Sequence, residues 1–111
     1  MKIPELETLL EGRWVHEAGT GGEISAGFTS DLLSDVMGNA PESSVLITIQ
    51  AHKNTVAVAT LTGIAALVIC SGRPIPEEMR AAAEQEEIAL LVTGLNQFEA
   101  TGRVYQRLQA E

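Results

Sequence analysis

Three short apolar runs constrain what this chain can fold into. They are VLITIQ at 45–50, AALVIC at 65–70 and IALLVT at 88–93. Short, almost entirely apolar runs are typical of strands that are buried on both faces of a parallel sheet. The segments that separate the runs have the length of helices, so we predict the order βαβαβα from residue 45 onward. This order predicts an α/β fold with a small, mainly parallel sheet.

The sequence predicts the helices that follow these runs with unequal clarity. Residues 54–63 are ambiguous, because VAVAT alternates like a strand while Asn54 suits a helix N-cap; the strand that follows favours a helix. Pro76 opens a second helix, PEEMRAAAEQEE, with acidic residues in its first turn. A last helix follows residue 96, and it carries on one face Phe98, Thr101, Gly102, Tyr105 and Leu108.

The first 40 residues are predicted to form a helix and strand cap on that sheet. Ile3–Leu10 has the spacing of a short amphipathic helix, and RWVHEA (13–18) and EISAGF (23–28) are predicted strands. A helix over Asp31–Asn39 follows, with Thr29 or Ser30 as its expected cap. At 111 residues the chain is expected to form a single domain.

Charge and composition exclude several classes of partner. The net charge is −8, which argues against binding to nucleic acid or to an anionic membrane, since both require clustered Lys and Arg. No apolar run approaches the ~18 residues of a membrane span. The expected location is therefore the cytoplasm. The lone cysteine, Cys70, lies in an apolar run and is predicted to be a buried, unreactive residue.

No catalytic or metal-binding motif is present. The glycine-rich turn at 19–22 lacks the GxxxxGK[ST] spacing of a phosphate loop, and no serine lies in a GxSxG elbow. His16 and His52 have no partner at metal-ligand spacing, and Asp31 and Asp35 are expected to be a helix-dipole partner and a solvated residue. We therefore expect no enzyme, no metal and no cofactor.

A binding site is nevertheless predicted at one edge of the sheet. Ligands of open parallel sheets bind outside the carboxyl ends of the strands, where three polar segments (50–54, 71–73 and 93–96) would meet. The candidate ligand-binding residues are His52, Asn54, Ser71, Gly72, Arg73 and Thr93. The alternative is structural: Asn54 caps a helix, Ser71-Gly72 makes a tight turn, and Arg73 pairs with Glu77 or Glu78.

Two blocks of the sequence resemble the DRTGG-domain family. They are the block from SDLLSDVMGNAPESSVLITIQ to ICSGRPIPEEM and the block LLVTGLNQFEATGRVYQRL. The resemblance as a whole covers nearly the entire chain, from about Lys2 to Leu108. Ser71-Gly72-Arg73 stands where the family often has Thr-Gly-Gly. Similar domains occur in phosphotransacetylases, in CBS-domain pyrophosphatases and at the N-terminus of HPr kinase/phosphorylase. The resemblance implies an accessory module that pairs with itself and senses a ligand, and the missing phosphate loop argues against kinase activity.

These observations leave three hypotheses of function. The first is a non-catalytic regulatory module that senses a small anionic or nucleotide-like ligand and, as the resemblance implies, forms a homodimer. The second is a dimerisation or protein-partner scaffold without a ligand, supported by a high apolar content of 45%. The third, with least support, is a small enzyme.

Overall fold

Five helices and five strands make up the chain, and the computed structural model describes all 111 residues. In chain order the elements are α1 (Glu5–Leu9), β1 (Arg13–His16), β2 (Ala26–Thr29), α2 (Leu33–Asn39), β3 (Ser44–Thr48), α3 (Lys53–Thr62), β4 (Ala66–Ile69), α4 (Glu77–Glu86), β5 (Ala89–Val92) and α5 (Gln97–Gln109).

All five strands belong to one sheet with the order β1-β5-β4-β3-β2. The four strands β2 to β5 are parallel, and β1 pairs antiparallel with β5. The predicted α/β class and the βαβαβα order from residue 45 are confirmed. The predicted N-terminal strands join this sheet as its two edge strands, and the second of them begins at Ala26 rather than at Glu23.

The helices form one layer on each face of the sheet. Strands β2, β3, β4 and β5 follow one another in a single direction, so right-handed crossovers place α2, α3 and α4 on the same face. The core on that face includes Val36, Val56 and Met79, one from each of these helices. The opposite face is covered by α1 and α5, through residues such as Leu6 and Val104.

The alternating direction of side chains along the strands, together with the cover on both faces of the sheet, explains the continuous apolar runs. In β3, Val45 and Ile47 contact the α1/α5 core, whereas Leu46 between them contacts the core under α2, α3 and α4. Successive side chains of a strand point to opposite faces, and both faces here are covered. Every residue of β3 and β4 is therefore buried.

Two helix caps differ from those expected. The side chain of His52, rather than Asn54, caps α3: its Nδ1 accepts a hydrogen bond from the Asn54 N–H at 3.0 Å. Helix α2 begins after Leu32 and has no side-chain cap, so the predicted cap at Thr29 or Ser30 is wrong. Histidine is an uncommon N-cap residue, which is why the sequence favoured the asparagine two positions later.

The carboxylate of Asp31 connects the end of β3 to the last helix. Its Oδ1 accepts hydrogen bonds from the Thr48 hydroxyl (2.8 Å), the Ile49 N–H (2.9 Å) and the Gln97 side chain (2.9 Å). Asp31 therefore acts as a structural acceptor, in place of the expected helix-dipole partner. Asp35 instead accepts a hydrogen bond from Asn39.

The last helix exposes part of its apolar face. It packs on the sheet through Ala100 and Val104, both buried, with Leu108 partly buried beside them. Phe98 and Tyr105 on the predicted face are 87% and 65% exposed. Helix α5 has 13 residues, and no helix of the chain is long and apolar enough to cross a membrane.

Burial of Cys70 makes the stability of the fold pH-dependent. Its side chain is fully buried, and this burial, with a smaller contribution from Asp31, raises the pKa of the thiol to about 11. A free thiol has a pKa of about 8.5, so the unfolded chain loses this proton first as the pH rises. The stabilisation is complete below pH ~8.5 and is lost as the pH approaches the folded-state value.

We therefore expect the free energy of unfolding to fall by about 2 kcal/mol between pH 8 and pH 10 relative to a Cys70→Ala variant. Denaturant unfolding at a series of pH values measures this difference, and the alanine variant removes the contribution of other groups that titrate in the same range. Parallel pH profiles for the two proteins would contradict the buried, neutral thiol.

Candidate functional site

A cavity of about 510 Å³ opens at the carboxyl ends of β4 and β5. Helix α4 follows β4 onto one face of the sheet, and α5 follows β5 onto the other. The β4–α4 and β5–α5 loops therefore lead to opposite faces of the sheet. Open α/β sheets form a crevice between two neighbouring strands whose loops separate in this way. The cavity is lined by three segments, residues 11–13, 72–75 and 93–94, together with Val15, Arg80 and Val92.

Antiparallel pairing brings the start of β1 to this edge. Arg13 lies opposite Val92, the last residue of β5, so the first residue of β1 meets the carboxyl end of its neighbour. Arg13 and Val15 share one face of the strand because side chains alternate. Gly12 makes the close approach possible: a Cβ there would lie 2.7 Å from Leu91 Cδ2 and 2.9 Å from the Val92 carbonyl oxygen.

A tight turn places Arg73 at the cavity. Ser71 and Gly72 both adopt left-handed backbone, with φ of 63° and 62°. Their N–H groups donate to the carbonyl oxygens of Leu95 (2.8 Å) and Thr93 (3.0 Å), which fixes the β4–α4 loop against the β5–α5 loop. The predicted tight turn is confirmed, and Arg73 follows it directly.

Two arginines at the cavity have no acidic partner. The chain has seven Lys and Arg residues and fifteen Asp and Glu residues, so most cations are expected to find a carboxylate. Arg13 and Arg73 are both exposed, and neither forms an ion pair. The cations that do pair with side-chain carboxylates are the remaining five: Lys2, Lys53, Arg80, Arg103 and Arg107.

The other charged groups at the cavity are already neutralised. Arg80 pairs with Glu77 and Glu84, and its hydrogen bonds hold the pKa of Glu77 below its usual value. Glu11, the sole acidic residue of the lining, pairs with Arg103 at 2.8 Å. The charge left free at the cavity is therefore positive, on a protein whose net charge is −8.

The acids expected to neutralise Arg73 are engaged elsewhere. Glu77 pairs with Arg80 one turn later in α4, and Glu78 pairs with Lys53 of α3 at 3.0 Å. The structural alternative, in which Arg73 pairs with Glu77 or Glu78, is therefore wrong. Glu77 and Arg80 are three residues apart within one helix, and this spacing favours Arg80 over Arg73 of the preceding loop as the partner of Glu77.

The structure brings together some of the predicted site residues. Gly72, Arg73 and Thr93 line the cavity, and Ser71 lies in the turn beside them. The Thr93 hydroxyl is occupied, since it donates to the Leu10 carbonyl at 2.7 Å and accepts from the Leu95 N–H at 3.1 Å.

Two of the predicted site residues lie outside the cavity, and one residue that lines it was not predicted. His52 and Asn54 do not line the cavity; His52 caps α3, and Asn54 borders a separate depression between α3 and α4. Arg13 does line it and was not predicted. No local signal in the sequence shows that β1 pairs antiparallel with β5.

The lone cysteine offers no nucleophile to this site. Cys70 immediately precedes the Ser71-Gly72 turn, but its side chain is fully buried and its pKa is raised to about 11. A nucleophilic cysteine requires an accessible thiolate with a lowered pKa.

Comparison with known proteins supports a DRTGG-like fold. No protein-family model matches the chain, and no curated protein matches its sequence with significance. A solved structure that matches it is the regulatory region of a Clostridium perfringens pyrophosphatase, comprising CBS and DRTGG domains in complex with the activator diadenosine tetraphosphate. The TM-score is 0.75 at 12% sequence identity, over 95% of this chain and 46% of that one. The chain is thus similar in fold to about half of that regulatory region.

Proposed function

We propose that this chain is a non-catalytic regulatory module that senses a small anionic or nucleotide-like ligand in the cavity at the ends of β4 and β5. One observation carries the proposal: Arg13 and Arg73 lack acidic partners there, while every other Lys and Arg of this acidic chain is paired. A guanidinium presents a fork of N–H donors that matches a phosphate or carboxylate.

Two further features support this function. The cavity volume of about 510 Å³ lies within the range of small-molecule sites. The pyrophosphatase region of similar fold is regulatory, and its structure contains a nucleotide activator.

Thermal unfolding in the presence of phosphate, pyrophosphate, ATP and diadenosine tetraphosphate tests this proposal. A ligand at about 100 times its Kd stabilises the folded state by about 2.7 kcal/mol, which raises the Tm by several degrees. We expect at least one of these compounds to do so, and Arg73→Ala or Arg13→Ala to lower its affinity at least tenfold.

The matched control is Lys2→Ala, which removes one exposed positive charge away from the cavity and releases only Glu23, which does not line the cavity. It should bind as tightly as the wild type. Equal losses in all three variants, or no shift with any compound, would reject the proposal.

A second observation favours self-association as part of this function. A groove of about 330 Å³ between α5 and β2 is lined by eight residues that carry no charge: Gly27, Phe28, Thr29, Ile47, Thr101, Val104, Tyr105 and Leu108. Exposed Phe98 extends the same helix face, and β2 is an edge strand that pairs only with β3.

We propose that a second copy of the chain covers this groove. Two copies with a net charge of −8 repel each other least where neither presents charge, and a symmetric contact between identical patches forms a closed dimer. An unpaired edge strand flanked by apolar side chains also provides backbone groups for pairing across such a contact.

Sedimentation equilibrium at several concentrations measures this association. We expect a dimer for the wild type and a monomer for Tyr105→Glu and Phe98→Glu, because each variant would bury an unpaired carboxylate at the contact. Leu61→Glu is the control: Leu61 is 77% exposed but lies on α3, on the opposite face of the sheet. A wild-type monomer at high micromolar concentration would contradict the dimer.

A further inference from the structure

We propose that the ligand is a compact polyanion, such as a diphosphate group, that the cavity recognises by its charged oxygens and without reading a nucleobase. This inference rests on the proposed ligand-binding function and narrows the ligand to one chemical class.

The free polar side chains of the cavity are hydrogen-bond donors only. Arg13 and Arg73 have no acceptor atoms in their side chains. The two lining side chains that do contain acceptors are engaged within the protein: Glu11 with Arg103, and Thr93 with the Leu10 carbonyl and the Leu95 N–H. A nucleobase is read through both donors and acceptors, whereas a phosphate or carboxylate needs donors alone.

The backbone of the lining adds donors of the same kind. The N–H groups of Ile75 and Gly94 form no hydrogen bond within the protein. Gly94 also has no side chain that would keep a ligand away from the backbone, and a Cβ placed there would contact nothing within 4 Å. Free N–H groups beside two guanidinium groups suit an anion with several oxygens.

The cavity also offers no aromatic ring on which a base would stack. None of its lining residues is aromatic. Trp14 is adjacent in sequence, but it belongs to the opposite face of β1 and packs against the core under α5. The apolar part of the lining consists of Val15, Ile75 and Val92, and aliphatic side chains of this kind accommodate a short aliphatic body rather than select a base.

Isothermal titration at constant ionic strength compares pyrophosphate with ADP, which carries the same diphosphate group, and with succinate and adenosine. We expect pyrophosphate to bind at least as tightly as ADP, and adenosine not to bind. If succinate binds more tightly than pyrophosphate, the polyanion is a dicarboxylate; the reverse identifies a diphosphate. Arg73→Lys retains the charge but loses the fork of donors, so it should weaken binding less than Arg73→Ala.

Two results would overturn this inference, and they are distinct. ADP binding more than tenfold tighter than pyrophosphate, with loss in Arg73→Ala, would show that the base is read while leaving the ligand-sensing function intact. Absence of binding by every anion, in a protein whose melting curve shows that it is folded, would remove both proposals.

Discussion

The right-handed crossover is the constraint from which the rest of this structure follows. Because β2 to β5 are added in one direction, α2, α3 and α4 must all lie on the same face of the sheet. The other face would expose Val45, Ile47, Val68 and Leu91 to water, and α1 and α5 cover it instead. The change of face occurs between β4 and β5, so the loops after these strands diverge and leave the cavity between them.

Ion pairs within this acidic chain leave the cavity with a positive charge. With fifteen acids and seven cations, a cation without a carboxylate partner is unusual, yet Arg13 and Arg73, which are 60 residues apart in the sequence, reach the same cavity. The nearby acids are bound by other cations, Glu77 by Arg80 and Glu11 by Arg103. These ion pairs thus engage the carboxylates that would otherwise neutralise Arg13 and Arg73.

The sequence predicted the strands far better than the residues that meet at their ends. VLITIQ, AALVIC and IALLVT reveal strands because burial on both faces leaves no polar position, and this is a local property. Arg73 was predicted because it follows such a strand. Arg13 was not, since its place depends on β1 pairing antiparallel with β5, almost 80 residues later in the chain. The prediction for His52 and Asn54 was wrong for a related reason. Both follow β3, but His52 caps α3, Asn54 lies in its first turn, and both are outside the cavity.

The central claim is that Arg13 and Arg73 together form one anion site, and NMR of the arginine side chains tests it most directly. Each of the five arginines has its own Nε–Hε signal, so a pyrophosphate titration reports on all of them in one experiment. We expect the Arg13 and Arg73 signals to shift together along a single saturating curve, while those of Arg103 and Arg107, which pair with Glu11 and Glu5, remain in place. Small, non-saturating shifts spread over all five arginines would contradict it.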